Sequence, residues 1–448
     1  MSWFNKKVLV LGLSKSGIAA AKYLSEAGAD VFITEINDRK EEDRFKIQEL
    51  EKLGIQIETG KHSEEFINDS YLAVTSPGIP PHSEIFQKLK EKNIEIISEV
   101  ELAYKESRKP FIAITGTNGK TTTTALVSHI LNKKYKTPAC GNIGNPPCEL
   151  LNKDIDYFVC EMSSFQIATS NSLQAQIACW LNFTPDHLDW HGGLDNYFEA
   201  KAKLFKSPLT PPFSVFNGVD ERLFEFSKTV DGQVFLFDIE ADDNCSYLKD
   251  GGIYFKRNQK EEHIIDLKDC PIVGHHNYQN IMCAVIVAKL IGLDNQLIVD
   301  AIKSFKAPEH RLEYVREYRG IKFYNDSKAT NPEAAIVAIK SFNHVDAVLI
   351  AGGRDKNTDL TEFCNEIKNH IKTVILIGEA KERFNESLKK NGFDNIIFEE
   401  TLQSAIDKAI ELNPKIVLLS PACASFDMFK SYEERGRVFK EYVLSKND

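Results

Sequence analysis

At 448 residues, 42% hydrophobic and 27% charged, the chain has the make-up of a folded protein too long for one hydrophobic core, which points to about three domains. Lys and Arg number 55 against 65 Asp and Glu; the net charge of −10 opposes a nucleic acid partner and requires any phosphate ligand to be held locally by backbone N–H groups, lysine and metal ions. The nine cysteines are odd in number and never spaced as a metal-binding pair, and the apolar run from Val8 to Leu13 is too short for a signal or a membrane span, so the expectation is a cytoplasmic protein with reduced thiols and no membrane partner.

A buried strand over residues 8–11 leads through Gly12-Leu13-Ser14-Lys15-Ser16-Gly17 into an amphipathic helix over 18–27 and a second strand over 30–34, ending at Glu35. Another strand over 71–75 closes on Ser76-Pro77-Gly78, and a helix and strand follow to Ile97, completing a Rossmann-like unit assigned to residues 1–98. The strand over 111–114 then runs into Thr115-Gly116-Thr117-Asn118-Gly119-Lys120-Thr121-Thr122 ahead of a helix, opening a central P-loop-type mononucleotide-binding domain, residues 99–307. Residues 308–448 alternate strands and helices again, as a C-terminal Rossmann-like α/β domain. Its strands over 321–324, 347–351 and 416–419 end in the polar loops Asn325-Asp326-Ser327-Lys328, Gly352-Gly353-Arg354-Asp355-Lys356 and Ser420-Pro421-Ala422-Cys423-Ala424-Ser425, predicted to meet at one sheet edge, where open parallel sheets bind ligands. The expected fold class is therefore α/β, in three domains.

Gly116 and Gly119 ahead of Lys120-Thr121 let backbone N–H groups converge on an anion, with Lys120 reaching the β/γ-phosphates and Thr121 a Mg²⁺ ion. The bland alternative is a plain strand-to-helix turn, and the common P-loop carries glycine where Ile114 stands. The N-terminal turn has the outer glycines of a dinucleotide fingerprint, Gly12 and Gly17, but Ser14 replaces the middle one, which hinders pyrophosphate approach. Helix packing, or a nucleotide sugar held by Ser16 and backbone donors, are the other readings of that turn. Glu161 ends a strand, and Asp186-His187-Leu188-Asp189 follows another, so carboxylate and imidazole can meet at one ion; Mg²⁺ prefers oxygen, and a satisfied loop histidine is the alternative for His187. Lys201 and Lys203 share a predicted helix over 195–205, and two-residue spacing sends them to different faces without selecting between them.

The phosphate loop, Ser76-Pro77-Gly78, Gly141-Asn142-Ile143-Gly144, Glu161-Met162-Ser163-Ser164-Phe165-Gln166, Asn325-Asp326-Ser327-Lys328-Ala329-Thr330-Asn331 and the stretch from Ser420 to Gly436 follow in an order that resembles the Mur ligases over essentially the whole chain, a family that includes the folylpolyglutamate synthetases. The last two stretches resemble the members that add D-glutamate. The resemblance implies an ATP-dependent ligase of peptidoglycan synthesis, a monomer that joins D-glutamate to UDP-N-acetylmuramoyl-L-alanine through an acyl phosphate and releases ADP and phosphate. It implies ATP contacts at Gly116, Thr117, Asn118, Gly119, Lys120, Thr121, Thr122, Asn277, Asn280, Arg311 and Asp326. Two Mg²⁺ ions are implied around Thr121, Glu161, His187 and Lys201, the last as a carbamate formed with CO₂, while Lys328 bridges ATP and the reacting carboxylate. Lys120, Lys201, His187 and Lys328 are the implied catalytic set. For the UDP substrate the matching positions are Lys15, Ser16, Glu35, Gly78, Asn142, Ser163 and Gln166, and for D-glutamate Thr330, Lys356, Ser425 and Tyr432. Glu35-Ile36-Asn37 stands where relatives can carry Asp-Thr-Arg, with Asp38 or Arg39 as substitutes at hand for uracil. A folylpolyglutamate-type ligase is opposed by the separate α/β unit ahead of Phe111, and a non-catalytic nucleotide-sugar-binding module by the joint retention of Lys120, Glu161, His187, Lys201 and Lys328.

Overall fold

The computed structural model describes residues 2–38, 43–272, 274–342, 345–355 and 358–446. In β1 (Lys7–Leu11) every residue from Val8 onward is buried, because the strand is paired on both sides in a parallel sheet covered on both faces, where apolar residues need not alternate with polar ones. With α1 (Lys15–Glu26), β2 (Asp30–Glu35), β3 (Gln56–Thr59), β4 (Leu72–Thr75) and β5 (Ile96–Ser98) it makes a parallel sheet of order β3-β2-β1-β4-β5. The order reverses between β1 and β4, which places the crevice of an open α/β sheet at the loops following those two strands. Helix α1 starts at Lys15 rather than at the predicted Ile18, since the Ser14 hydroxyl caps it by accepting from Gly17 N–H, a bond worth about 1 kcal/mol. Gly17 leaves no room for a side chain: a Cβ would stand 2.3 Å from the Gly12 carbonyl oxygen.

Helix α2 (Glu99–Glu106), capped by Ser98, ties this sheet to the next. The Ser98 and Ser170 hydroxyls lie 3.1 Å apart, Glu101 accepts from the N–H groups of Ser172 and Leu173, and Glu99 accepts from Cys148 N–H at 2.6 Å. The second sheet comprises β6 (Phe111–Thr115), β7 (Ala139–Gly141), β8 (Phe158–Glu161), β9 (Ile177–Trp180), β10 (Phe213–Asn217), β11 (Gln233–Phe237), β12 (Cys245–Lys249), β13 (Gly252–Arg257) and β14 (Lys260–Asp266), in the order β14-β13-β12-β11-β10-β9-β6-β8-β7. Pairing is parallel from β7 across to β12, and antiparallel where β13 and β14 extend the sheet. Strand β6 lies between β8 and β9, all three wholly buried, so the loops leaving them emerge together. Helices α3 (Lys120–Leu131), α4 (Leu194–Ala202) and α5 (His275–Ile291) flank that edge in sequence; the predicted helix over 195–205 is α-helical only to Ala202 and tightens to a 3₁₀ turn at Lys203–Phe205.

The third sheet holds β15 (Glu313–Tyr318), β16 (Ile321–Asn325), β17 (Ala347–Gly352), β18 (Thr373–Ile377), β19 (Ile396–Phe398) and β20 (Ile416–Leu419), in the order β15-β16-β20-β17-β18-β19, parallel except for β15. Strands β16, β20 and β17 are neighbours, so the three polar loops do leave adjacent carboxyl ends, and α6 (Tyr432–Leu444) follows the β20 loop. The chain divides into two compact units, Met1–Pro271 with Asn277–Phe305, holding the first two sheets, and Ile272–His276 with Lys306–Asp448, holding the third. No helix among the described residues is long and apolar enough to cross a membrane.

Candidate functional site

At the crevice of the first sheet the Ser14 hydroxyl lies 2.7 Å from Ser76 Oγ and 3.0 Å from Ser16 Oγ, so hydroxyls lace the space that a dinucleotide fingerprint leaves open with glycine. Glu35 holds the turn from the end of β2: Oε2 accepts from Leu13 N–H, and Oε1 from the backbone and side-chain amides of Asn37. Lys15 reaches across to the Gly144 carbonyl at 2.6 Å, and Asn142, on the same loop as Gly144, donates to Glu161 Oε1 at 3.0 Å. The loop of residues 141–144 thus touches Lys15 at one point and Glu161 at another. Gly78 is exposed with open space where a side chain would stand, and Arg39 lies outside the described residues. Ser163 and Gln166 bond to one another in the capping box of the helix Ser164–Ala168, so a substrate recruiting either would compete with that cap.

At the carboxyl end of β6 the loop from Gly116 to Thr122 starts α3, whose first-turn N–H groups point out of a helix start toward any anion placed there. Gly119 takes a left-handed φ of 81°, and a Cβ there would come within 2.7 Å of Asn280 Oδ1. Asn280 in turn accepts from the Thr123 hydroxyl and donates to Asn277 Oδ1 at 3.3 Å, so Asn280 ties α5 to the loop's helix and holds Asn277 behind it. Thr121 and Thr122 are buried in the first turn. Lys120 Nζ donates to the carbonyls of Gly116 and Thr117 at 3.0 and 2.7 Å, and Lys201 Nζ, fully buried on α4, donates to the same Gly116 carbonyl at 2.8 Å. Burial drives the Lys201 amine well below its ordinary range and the nearby Lys120 ammonium adds to this, with Asp186 and Glu161 opposing. Lys203 is the structural one of the pair, donating to the Ala168 carbonyl. His187 takes a left-handed φ of 52° at the start of the short helix Leu188–His191, its Nε2 3.4 Å from Asp186 Oδ2 and its ring centroid 4.9 Å from that of Phe165.

In the second unit, Asp326 is buried at the end of β16, accepting from Ser420 Oγ at 2.7 Å and from Leu312 N–H at 3.1 Å. Burial raises its carboxyl to about 7, against those bonds and the Arg311 and Arg435 guanidiniums. Arg311 rides on a turn whose flanking residues, His310 and Leu312, both have positive φ, and the His310 carbonyl accepts from Lys328 N–H. Lys328 Nζ stands 5.0 Å from the centre of the Tyr432 ring. Thr330 N–H bonds back to the Lys328 carbonyl, Ser425 is buried in the loop after β20, and Lys356 lies outside the described residues.

A model of the Mur ligase MurD-like N-terminal domain matches residues 6–98, one of the Mur ligase middle domain 114–288, and one of the Mur ligase glutamate ligase domain 310–423. The chain belongs to the Mur ligase family. This Mur ligase is 42% identical to the UDP-N-acetylmuramoylalanine–D-glutamate ligase of Thermoanaerobacter pseudethanolicus over 98% of both chains, and 40% identical to that of Bacillus cereus over 98% of this chain and 97% of the relative. Its three-domain α/β fold resembles that of the MurF ligase of Thermotoga maritima, solved in complex with ADP, with a TM-score of 0.62 at 15% identity over 99% of each chain. The UDP-N-acetylmuramate–alanine ligase of Thermotoga maritima matches with a TM-score of 0.61 at 20% identity, over 98% of this chain and 100% of that one.

In this Mur ligase Asn142 holds Glu161 Oε1 while the buried Oε2 has no hydrogen-bond partner, which leaves it an acceptor-only oxygen of the kind that a hard cation satisfies. Among the described residues no three His, Cys, Asp or Glu side chains converge on one point. Two residues outside the predicted site organise its loops. Asn182, two residues past the end of β9, bonds the Thr117 and Asn118 backbone. Arg435, 1% exposed, donates to Ser327 Oγ and to the carbonyls of Ser327 and Cys423, clamping the loops after β16 and β20 together. Arg435 left a readable signal, an arginine on the same face of α6 as Phe439 and Val443; Asn182, a polar residue after an apolar strand, left none.

Proposed function

We propose that this chain joins D-glutamate to UDP-N-acetylmuramoyl-L-alanine in peptidoglycan synthesis, using ATP, as a cytoplasmic monomer. Residues 1–98 take the UDP portion, 99–307 the ATP and 308–448 the amino acid. The observation that carries the reading is the pair of lysines converging on the Gly116 carbonyl, one at the head of a glycine-started helix and one fully buried, at the same sheet edge as the Glu161 carboxylate. The names of the relatives at 40–42% identity supply the substrates.

The acceptor carboxylate attacks the γ-phosphorus in line, the bond to the bridging oxygen of ADP breaks, and an acyl phosphate forms. The neutral amine of D-glutamate then attacks the acyl carbon, and the tetrahedral intermediate expels phosphate to leave the amide, the amine's proton passing to solvent or phosphate. Lys120 and the first-turn N–H groups of α3 hold the β/γ-phosphates, Lys328 steadies the reacting carboxylate, and Arg311, Asp326, Asn277 and Asn280 orient the nucleotide. Thr330, Lys356, Ser425 and Tyr432 hold the two carboxylates of D-glutamate. Mg²⁺, when bound, neutralises phosphate charge; Thr121 would help hold one ion, and Glu161 and His187 with carbamylated Lys201 a second. A neutral Lys201 amine is the form that adds CO₂, losing a proton as the N–C bond forms. Lys15, Ser16, Glu35, Gly78, Asn142, Ser163 and Gln166 are the contacts assigned to the UDP substrate.

ADP release by the purified protein, assayed with the UDP-linked acceptor against D-glutamate, L-glutamate and other amino acids, tests the assignment: only D-glutamate should support turnover. Lys120→Ala and Lys328→Ala should abolish it with circular dichroism unchanged, and full product formation by either variant would remove the assignment.

A further inference from the structure

We propose that Asn182 is a positioning residue that sets the shape of the nucleotide loop and decides which of its N–H groups face the phosphates; this rests on the reading of residues 116–122 as the ATP loop. Asn182 lies two residues beyond the end of β9, and the register that pairs Thr115 with Trp180 brings it alongside Thr117. Its side-chain Oδ1 accepts from Thr117 N–H at 3.1 Å and Asn118 N–H at 2.8 Å, its Nδ2 donates to the Asn118 carbonyl at 3.1 Å, and its own carbonyl accepts from Thr117 N–H. Thr184 adds a reciprocal pair with the Thr117 hydroxyl, so the segment after β9 is zipped to the loop by side chains where the strand ladder has ended.

Only an amide of this length supplies an acceptor for two N–H groups and a donor for one carbonyl at once. Aspartate keeps the acceptor and loses the donor; alanine loses both. Because the Thr117 and Asn118 N–H groups turn toward Asn182, the donors left to meet an anion begin at Gly119, at the head of α3 and beside Lys120. Neutrality matters as much as shape, since the side chain lies against the loop that receives the triphosphate.

Asn182→Ala should raise the KM for ATP roughly tenfold, the scale of one or two net hydrogen bonds, while the KM values for D-glutamate and the UDP-linked acceptor stay within about twofold. Asn182→Asp, an isostere that keeps the two N–H bonds, should weaken binding in the order ATP more than ADP more than AMP by calorimetry, because a carboxylate repels each added phosphate. A loop tether without a role in phosphate binding would lower all three nucleotides alike. An unchanged ATP KM in folded Asn182→Ala, a joint rise of all three KM values, or equal loss of AMP and ATP in Asn182→Asp would each overturn the proposal. Lys120→Ala is the companion: if it binds ATP as the wild type does, the ATP-loop reading itself fails, whereas loss in Lys120→Ala with none in either Asn182 variant defeats only the role given to Asn182.

Discussion

Lys201 shows how much a single buried charge can decide. Its ammonium would sit out of water and share one carbonyl with a second lysine, and with both charged the pair would carry desolvation and repulsion together. The neutral amine relieves both, and a carbamate goes further, putting a negative group beside Lys120. The sequence could not choose between Lys201 and Lys203, because two-residue spacing says only that they diverge; the docking of α4 beneath the end of β6 makes the choice, seating Lys201 against Thr115 and Gly116 and sending Lys203 to Ala168. Lys201→Ala is expected to lose most of its activity and to regain part of it with added short carboxylates, which can occupy the space of the carbamate. Lys201→Arg, charged at any working pH, should gain nothing from them. ¹³C-labelled bicarbonate should give the wild type a carbamate resonance that is missing from Lys201→Ala, and a wild type without that resonance would sink the idea.

At the scale of elements, unbroken apolar runs such as Val8 to Leu11 and Phe111 to Ile114 read correctly as parallel strands because burial on both faces leaves no polar residue to blur them. The adjacency of the loops after β16, β17 and β20 was also legible, since each strand ends abruptly in polar residues. What the sequence could not show is where one polar side chain reaches across to another element. Asn182 is one case, and Glu99 is another. Its Oε1 accepts from Cys148 N–H on the turn that follows the Gly141–Gly144 loop, while Oε2 is buried without a partner. The start of α2 favours an anion by about 0.3–1 kcal/mol, but desolvation of a fully buried carboxyl can exceed that severalfold, and burial wins: the carboxyl is raised from 4.5 to about 7. A folded-state acid raised above its unfolded value contributes stability that is complete below about 4.5 and is lost as the pH climbs through about 7. Thermal unfolding of the wild type should therefore fall relative to Glu99→Gln across that window and level off above it. A gap between the two proteins that does not change with pH would show that Glu99 does not titrate there.

For the molecule as a whole, a net charge of −10 works against a polyanionic nucleotide, and the fold answers it locally, with Lys120 and a helix start at one sheet edge. Among the described residues the apolar cores follow the same division as the two compact units: the clusters built on the third sheet draw their members from residues after Lys306, on both faces of that sheet. Those built on the first two sheets draw theirs from residues before Phe305. A core that borrows nothing from the other unit should fold without it. The fragment 306–448 is expected to unfold in one cooperative transition and to bind no ATP, while 1–305, which retains the glycine loop, both asparagines of α5 and Lys201, should still bind ATP, though more weakly than the intact chain because Arg311 and Asp326 are missing. Neither should form the amide, because Lys328 and the positions assigned to D-glutamate belong to one fragment and the phosphate loop to the other, and transfer requires the reacting atoms to be held about 3–3.5 Å apart. Calorimetry for ATP and urea unfolding for each fragment check this directly. A fragment 306–448 without a cooperative transition would show that its core depends on the rest of the chain, and a folded 1–305 that ignores ATP would place nucleotide recognition in residues beyond Phe305.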